Sequence, residues 1–368
     1  MDNFPKTSRW FPSVTRDWIV IVLSGFIIGL LAAALVKLGN PPNMGICIAC
    51  FWRDIAGALG LHRMEAVQYL RPEIFAIVLG VAIPAWWRKE LSARSGSAPG
   101  TRFLLGMFMM VGALMFLGCP TRMVLRLAGG DLNALTGIAG FAAGVGLGTV
   151  FLKRGFSLGR SVRETSGFSA WIFPATALLL LCAACIAPAI FFASAKGPGS
   201  MHAPAWLSIT AGLAVGIMAF YSRFCFAGGI RDLFLFRDYH LLAGVVTLFA
   251  GAAVANLLFG QLVWDKIGFS GQPIAHSDWL WNGLGMLLVG LGAVLLGGCP
   301  LRQLVLAAQG NLDSFVTILG MCFGAAIAHN FAIASTPAGP QLNGKIAVGV
   351  GISFCILVSL IFKDRENA

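Results

Sequence analysis

Apolar residues along this chain run in long blocks separated by short polar connections. Ten blocks are long enough to be read as membrane helices, which need about 20 apolar residues to cross a bilayer. They lie near 18–37, 73–87, 103–118, 134–152 and 171–195 in the first part, and near 205–221, 240–260, 281–298, 314–334 and 346–362 in the second. Four shorter apolar pieces remain, at 44–59, 119–129, 224–236 and 299–309. They are too short to cross and read as re-entrant or broken helices, which membranes tolerate only where protein or a polar cavity covers the backbone. The predicted fold class is an all-α polytopic membrane protein of about ten transmembrane helices plus four short re-entrant ones. The first block, after a basic tail and with Ala32-Ala33-Ala34 near its end, also has the outline of a cleavable signal peptide. The repeat described next requires it as a permanent helix.

Gly118-Cys119-Pro120-Thr121-Arg122 returns 180 residues later as Gly298-Cys299-Pro300-Leu301-Arg302, and Gly130, Leu132, Ile138 and Gly140 match Gly310, Leu312, Ile318 and Gly320. A second pair lies at an offset of 178, where Cys47 and Arg53-Asp54 match Cys225 and Arg231-Asp232. The chain therefore reads as a duplication, residues 1–195 followed by 196–368. Five spans separate equivalent positions. An odd number reverses orientation, so the halves are expected to be inverted repeats, an architecture typical of transporters with the site at the repeat interface.

Composition supports the membrane reading: 58% of the residues are hydrophobic and 11% charged, against about 25% charged in soluble domains. A soluble enzyme is excluded. The net charge of +11 sits mainly in short connections, such as Arg88-Lys89 with Arg94 and Lys153-Arg154 with Arg160. Such loops face the cytoplasm by the positive-inside rule, which puts both termini there. The 38–71 connection disagrees mildly, since it holds Arg53, Arg63 and Arg71. There is no basic stripe interleaved with aromatics, so nucleic acid is not an expected partner, and no P-loop pattern for driving transport with ATP.

In Gly-Cys-Pro-x-Arg, proline suits the first position of a helix, because its missing N–H costs nothing there. Pro120 and Pro300 thus place Cys119 and Cys299 at helix N-caps, where free N–H groups and the positive end of the helix dipole favour an anion. Arg122 and Arg302 add charge in the same turn, and Asp131 and Asn311 are placed to cap the following helices. Ser222 and Pro41-Pro42-Asn43 are the expected caps of the other two short helices. Four thiols, Cys47, Cys119, Cys225 and Cys299, recur in both halves. Cys182, Cys185, Cys322 and Cys355 do not, and read as small buried hydrophobes. Cys47-Cys50 forms a Cys-x-x-Cys pattern, but Gly228 stands opposite Cys50 in the repeat, so a redox pair is not the shared feature. The five His are scattered without ligand spacing, so neither metal nor cofactor is expected. Arg53-Asp54 and Arg231-Asp232 are charges inside apolar segments, a functional signal in a membrane. Sequence neighbours on a helix point apart, so each of the four is expected to pair elsewhere.

On PPNMGICIACFWRDIAGALGLHR, FLGCPTRMVLRLAGGDLNA, SRFCFAGGIRDLF and LGGCPLRQLVLAAQGNLD, the chain resembles the YeeE/YedE family of bacterial inner-membrane proteins, in particular its selenium-transport branch. The resemblance implies an inverted-repeat fold and a cysteine-lined path through which a small selenium- or sulfur-containing anion is imported, with a TusA-like sulfurtransferase as cytoplasmic partner. In the thiosulfate-importing branch, the anion is thought to pass between thiols by S–H to sulfur hydrogen bonds. Cys47, Cys119 and Cys299 match those positions by context, with Cys225 the remaining repeat mate. A selenium compound is the expected cargo, thiosulfate the alternative. A membrane thiol oxidoreductase working through Cys47 and Cys50 is the rival from another class.

Overall fold

A computed structural model describes residues 13–165 and 167–362. Lys6, Arg9, Lys363 and Arg365, which contribute to the expected cytoplasmic placement of the termini, lie outside the described residues. The first half of the chain folds into α1 (Ser13–Lys37), α2 (Ile48–Ala58), α3 (Pro72–Trp87), α4 (Pro99–Phe116), α5 (Pro120–Ala128), α6 (Asn133–Lys153) and α7 (Ile172–Ile186). The second half follows the same order with α8 (Ala205–Ser222), α9 (Phe226–Phe236), α10 (His240–Leu258), α11 (Trp279–Leu296), α12 (Pro300–Ala308), α13 (Leu312–Asn330) and α14 (Leu342–Ile361). Ten helical stretches are long and apolar enough to cross a membrane. The protein is a multi-pass membrane protein.

Four helices are short: α2, which lies outside those stretches, and α5, α9 and α12, which end three of them after a break, have 11, 9, 11 and 9 residues respectively. At about 1.5 Å per residue they reach roughly half of a 30 Å hydrocarbon layer. Left-handed residues set three of them off from the long helix before: Leu117 ahead of α5, Arg223 ahead of α9 and Gly297 ahead of α12. One expected boundary is corrected. Hydropathy predicts a fifth span to 195, but α7 stops at Ile186 and Pro188 begins a 3-10 turn, because proline lacks the N–H needed to continue the helix.

Close helix pairs hold the bundle together, and glycine makes them close. A Cβ on Gly29 of α1 would lie 2.2 Å from the Leu248 carbonyl oxygen of α10, and one on Gly251 of α10 would lie 2.1 Å from that of Phe26. The same contact joins α3 to α8, where a Cβ on Gly216 would meet the Ile77 oxygen at 2.3 Å. A second family joins α6 to α11 through Gly144 against Leu287, and α4 to α13 through Gly320 against Phe103, each at 2.1 Å. Lipid tails are as apolar as leucine, so helices in membranes gain by close van der Waals approach rather than by hydrophobic exclusion. By order within each half, α1 stands where α8 does, α3 where α10 does, α4 where α11 does and α6 where α13 does. Each close pair therefore takes one helix from either half, and the pairs are counterparts of one another. The last helix of each half departs from this pattern. α7 lies on α3, whereas α14 lies on α4 and α11.

Loops tie the two ends of the bundle. On one side, β1 (Arg94–Ser95) pairs with β2 (Val162–Arg163), and the N–H of Arg94 donates to the Gly310 carbonyl in the α12–α13 turn. On the other, the N–H of Leu132 in the α5–α6 turn donates to Gly268 in the long α10–α11 loop. Replacing Gly251 with Val is expected to separate α1 from α10 and cost at least about 1–3 kcal/mol of overpacking. A lower melting temperature and poorer recovery of monodisperse protein in detergent would show it, while Gly349→Val, with nothing within 4 Å of its Cβ position, serves as the tolerated control.

Candidate functional site

All four recurring cysteines are the N-caps of the four short helices: Cys47 of α2, Cys119 of α5, Cys225 of α9 and Cys299 of α12. The expected Pro120 and Pro300 follow two of them directly. The Cys47 sulfur accepts from the N–H of Cys50 at 3.4 Å, and the Cys225 sulfur from that of Gly228 at 3.2 Å. Ser222 is not the cap of α9. It ends α8, and its hydroxyl bonds back to the Met218 carbonyl at 2.7 Å, leaving the cap to the thiol three residues on. Asn311 caps α13 through Ser314, as expected, whereas the N-cap of α6 is Leu132 rather than Asp131, which sits one residue earlier and accepts from the N–H of Asn133.

These caps come together in two pairs. Cys47 and Cys119 place their sulfurs 3.7 Å apart, and Cys225 and Cys299 theirs 3.9 Å apart. All are free thiols. In the first cluster Cys47, Cys50 and Cys119 are wholly buried. Arg122 is buried beside them, with Nη1 3.7 Å from the Cys50 sulfur and also bonded to the Leu117 carbonyl, while Nη2 donates to Ile274 O at 3.0 Å. The second cluster opens outward. A cavity of about 1110 Å³ reaches Cys225, Gly228, Arg231, Asp232 and Arg302. A smaller one of about 350 Å³, bordered by Arg94 and Arg223, also ends on Arg302.

The two Arg-Asp motifs do not pair across the molecule. Arg53 Nη2 bonds its own neighbour Asp54 at 2.7 Å, and Arg231 does the same with Asp232 at 2.8 Å. The expectation that each charge pairs elsewhere holds only for Asp54, because helical spacing governs where Cβ atoms point, whereas a guanidinium on a long flexible stem can curl back to the next residue. Their surroundings differ. Arg53 and Asp54 side chains are 3% and 0% exposed, those of Arg231 and Asp232 32% and 17%. Asp54 also takes Arg71, at 2.8 Å, and Arg71 in turn donates to the Met201 and Pro198 carbonyls. Arg71 was counted in the sequence only as a loop charge. Arg126, paired with Asp131 at 2.6 Å and bonded to the Phe116 carbonyl, was likewise unforeseen. The clue available for both is that a guanidinium inside an apolar segment must find a partner.

The remaining cysteines are dispersed. Cys322 and Cys355 are buried, as expected, but Cys182 and Cys185 lie on the exposed surface of α7. That helix has few partners, and its outward positions face what would be lipid. Two histidines in connections have lowered pKa values. Burial lowers the pKa of His62, whose Nε2 meets the Arg53 carbonyl at 3.0 Å, and of His276, whose Nε2 meets that of Met115 at 2.8 Å.

Two outcomes follow. Asp54→Asn strands Arg53 and Arg71 without their carboxylate and should destabilise the protein by about 3–5 kcal/mol, whereas Asp232→Asn, at a partly exposed pair, should cost no more than about 1 kcal/mol. Parallel thermal unfolding of the two variants in detergent checks this. The histidines set a pH dependence. An unfolded chain protonates them below about pH 6.5 while the folded one resists, so stability present above that pH should fall as pH drops through it, and a His62→Gln, His276→Gln double variant should flatten the profile.

Comparison with known proteins completes the description. A family model described as Sulphur transport matches residues 221–362, which contain the second thiol pair. The probable transporter YedE of Salmonella typhimurium is 28% identical over 130 residues, 35% of this chain and 30% of the relative. Thiosulfate transporters named TsuA match from Escherichia coli, at 26% over 110 residues (29% of each chain), and from Spirochaeta thermophila, at 33% over 95 residues (26% of this chain, 27% of the relative). The chain thus spans less than a third of the length of the curated relatives it matches. The sulphur-transport match over the second thiol pair and the likenesses to YedE and TsuA proteins agree with the resemblance to the YeeE/YedE family that the repeated motifs carry.

Proposed function

We propose that this protein imports a small sulfur- or selenium-containing anion along a path formed by Cys47, Cys119, Cys225 and Cys299. The observation that carries the reading is the pair of thiol couples, each built from two helix N-caps with an arginine in the first turn of one helix. An anion leaving water loses its hydration, a cost of many kcal/mol if nothing replaces it. Helix N-termini and Arg122 or Arg302 supply compensating positive potential. Thiols are weak donors, suited to large soft sulfur or selenium atoms, and weak contacts allow release to the next site.

The matched helix pairs and turns support reading the chain as two inverted halves, with the second thiol pair and its cavity on the cytoplasmic side. Arg16, Arg88, Arg223 and Arg231 at that cavity fit the positive-inside rule and an inner-membrane protein with cytoplasmic termini. A TusA-like sulfurtransferase would collect cargo at this mouth. Two relatives bear thiosulfate in their names, which makes thiosulfate the first cargo to test and a selenium compound the second.

Uptake of labelled thiosulfate and of labelled selenite, compared in cells with and without the protein, decides the cargo. Cys119→Ala and Cys299→Ala should each reduce uptake to background at unchanged membrane levels, while Cys182→Ala should leave it intact. Normal uptake in both pathway variants would overturn the thiol path.

A further inference from the structure

Arg122 is wholly buried, yet none of the ion pairs among the described residues includes it. The other guanidiniums of that region are matched: Arg53 and Arg71 share Asp54, and Arg126 holds Asp131. Glu73, another buried carboxylate, is engaged by Asn40 and Ser208. Arg122 is left with two backbone carbonyls and the Cys50 sulfur, and its Nε–H has no partner. A buried charge in that position is costly unless an anion completes it.

Cys50 has no counterpart in the second half. Its repeat mate is Gly228, which lines the large cavity beside Arg302, where Nη1 is also without a partner. The first-half arginine therefore has a sulfur atom beside it that the second half lacks, and there a cavity reaches the arginine instead. We infer that Arg122 and Cys50 form an anion subsite peculiar to the first half, in which the guanidinium holds the oxygens of the cargo and Cys50 discriminates for its soft terminal atom. This rests on the transport reading above and adds to it a specificity-determining residue outside the repeated four thiols. Loading the subsite requires the Ile274 carbonyl of the α10–α11 loop to release Arg122, since the site is closed to solvent here.

Thiosulfate and sulfate carry the same charge and differ by one sulfur in place of one oxygen, so they separate the two roles. Binding of each to purified protein in detergent, measured by calorimetry, should favour thiosulfate. Cys50→Ala should weaken thiosulfate about tenfold, the effect of one lost hydrogen bond to a charged group, and leave sulfate within about twofold. Arg122→Gln should weaken both by at least about tenfold, with partial recovery in Arg122→Lys, and Cys182→Ala should change neither. Melting temperatures without anion confirm that each variant is folded. Unchanged thiosulfate-to-sulfate preference in folded Cys50→Ala, or unchanged affinity in folded Arg122→Gln, overturns the subsite. Binding with these signatures but no uptake in cells would sustain the subsite and overturn the transport reading alone. Absence of binding by the unsubstituted protein overturns the subsite, and uptake then judges transport separately.

Discussion

Four helices of this protein begin in its interior, and their first N–H groups have no intrahelical acceptor. In water such groups are satisfied by solvent; inside an apolar bundle they must be satisfied by the protein or by something it carries. That constraint organises the centre of the molecule. Oxygen-bearing caps would satisfy the N–H groups more strongly, but thiols stand at all four positions, and two of them accept only long bonds of 3.2–3.4 Å. The helix ends consequently keep positive potential, and the proposed anion path relies on it.

The rest of the fold serves to hold those ends in place. Short helices cannot anchor themselves across a bilayer, so each leans on long neighbours: α2 on α13, α5 on α6 and α10, α9 on α6 and α10, and α12 on α13 and α3. These long helices are locked into the glycine-mediated pairs. Charge is distributed unevenly over this frame. The Arg53–Asp54–Arg71 cluster is sealed, while Arg231–Asp232 borders a wide cavity, so two segments of similar sequence occupy different electrostatic settings.

Much of this was legible in the chain. Hydropathy alone separates ten long helices from four short ones, because the period between polar connections reflects bilayer thickness. Cys119 and Cys299 were recognisable as caps because proline fixes the first helical turn behind them. The cap role of Cys225 was obscured by Ser222, a better hydrogen-bonding residue that lies three positions too early. Arg71 and Arg126 are not legible for another reason: neither recurs in the other half, so the repeat does not mark them. The exposure of Cys182 and Cys185 depends on which neighbours α7 acquires, and α7 packs unlike its repeat mate α14. Pattern along the chain cannot reveal such a choice.

The crossing of close helix pairs between the halves bears on how the chain is made. The glycine faces of α1, α3, α4 and α6 find their partners in α10, α8, α13 and α11, all of which leave the ribosome later. These four pairings can form only once the second half of the chain has been made, so neither half holds its close pairs by itself. A half made alone would carry the thiols but not the surfaces that hold their helices in position.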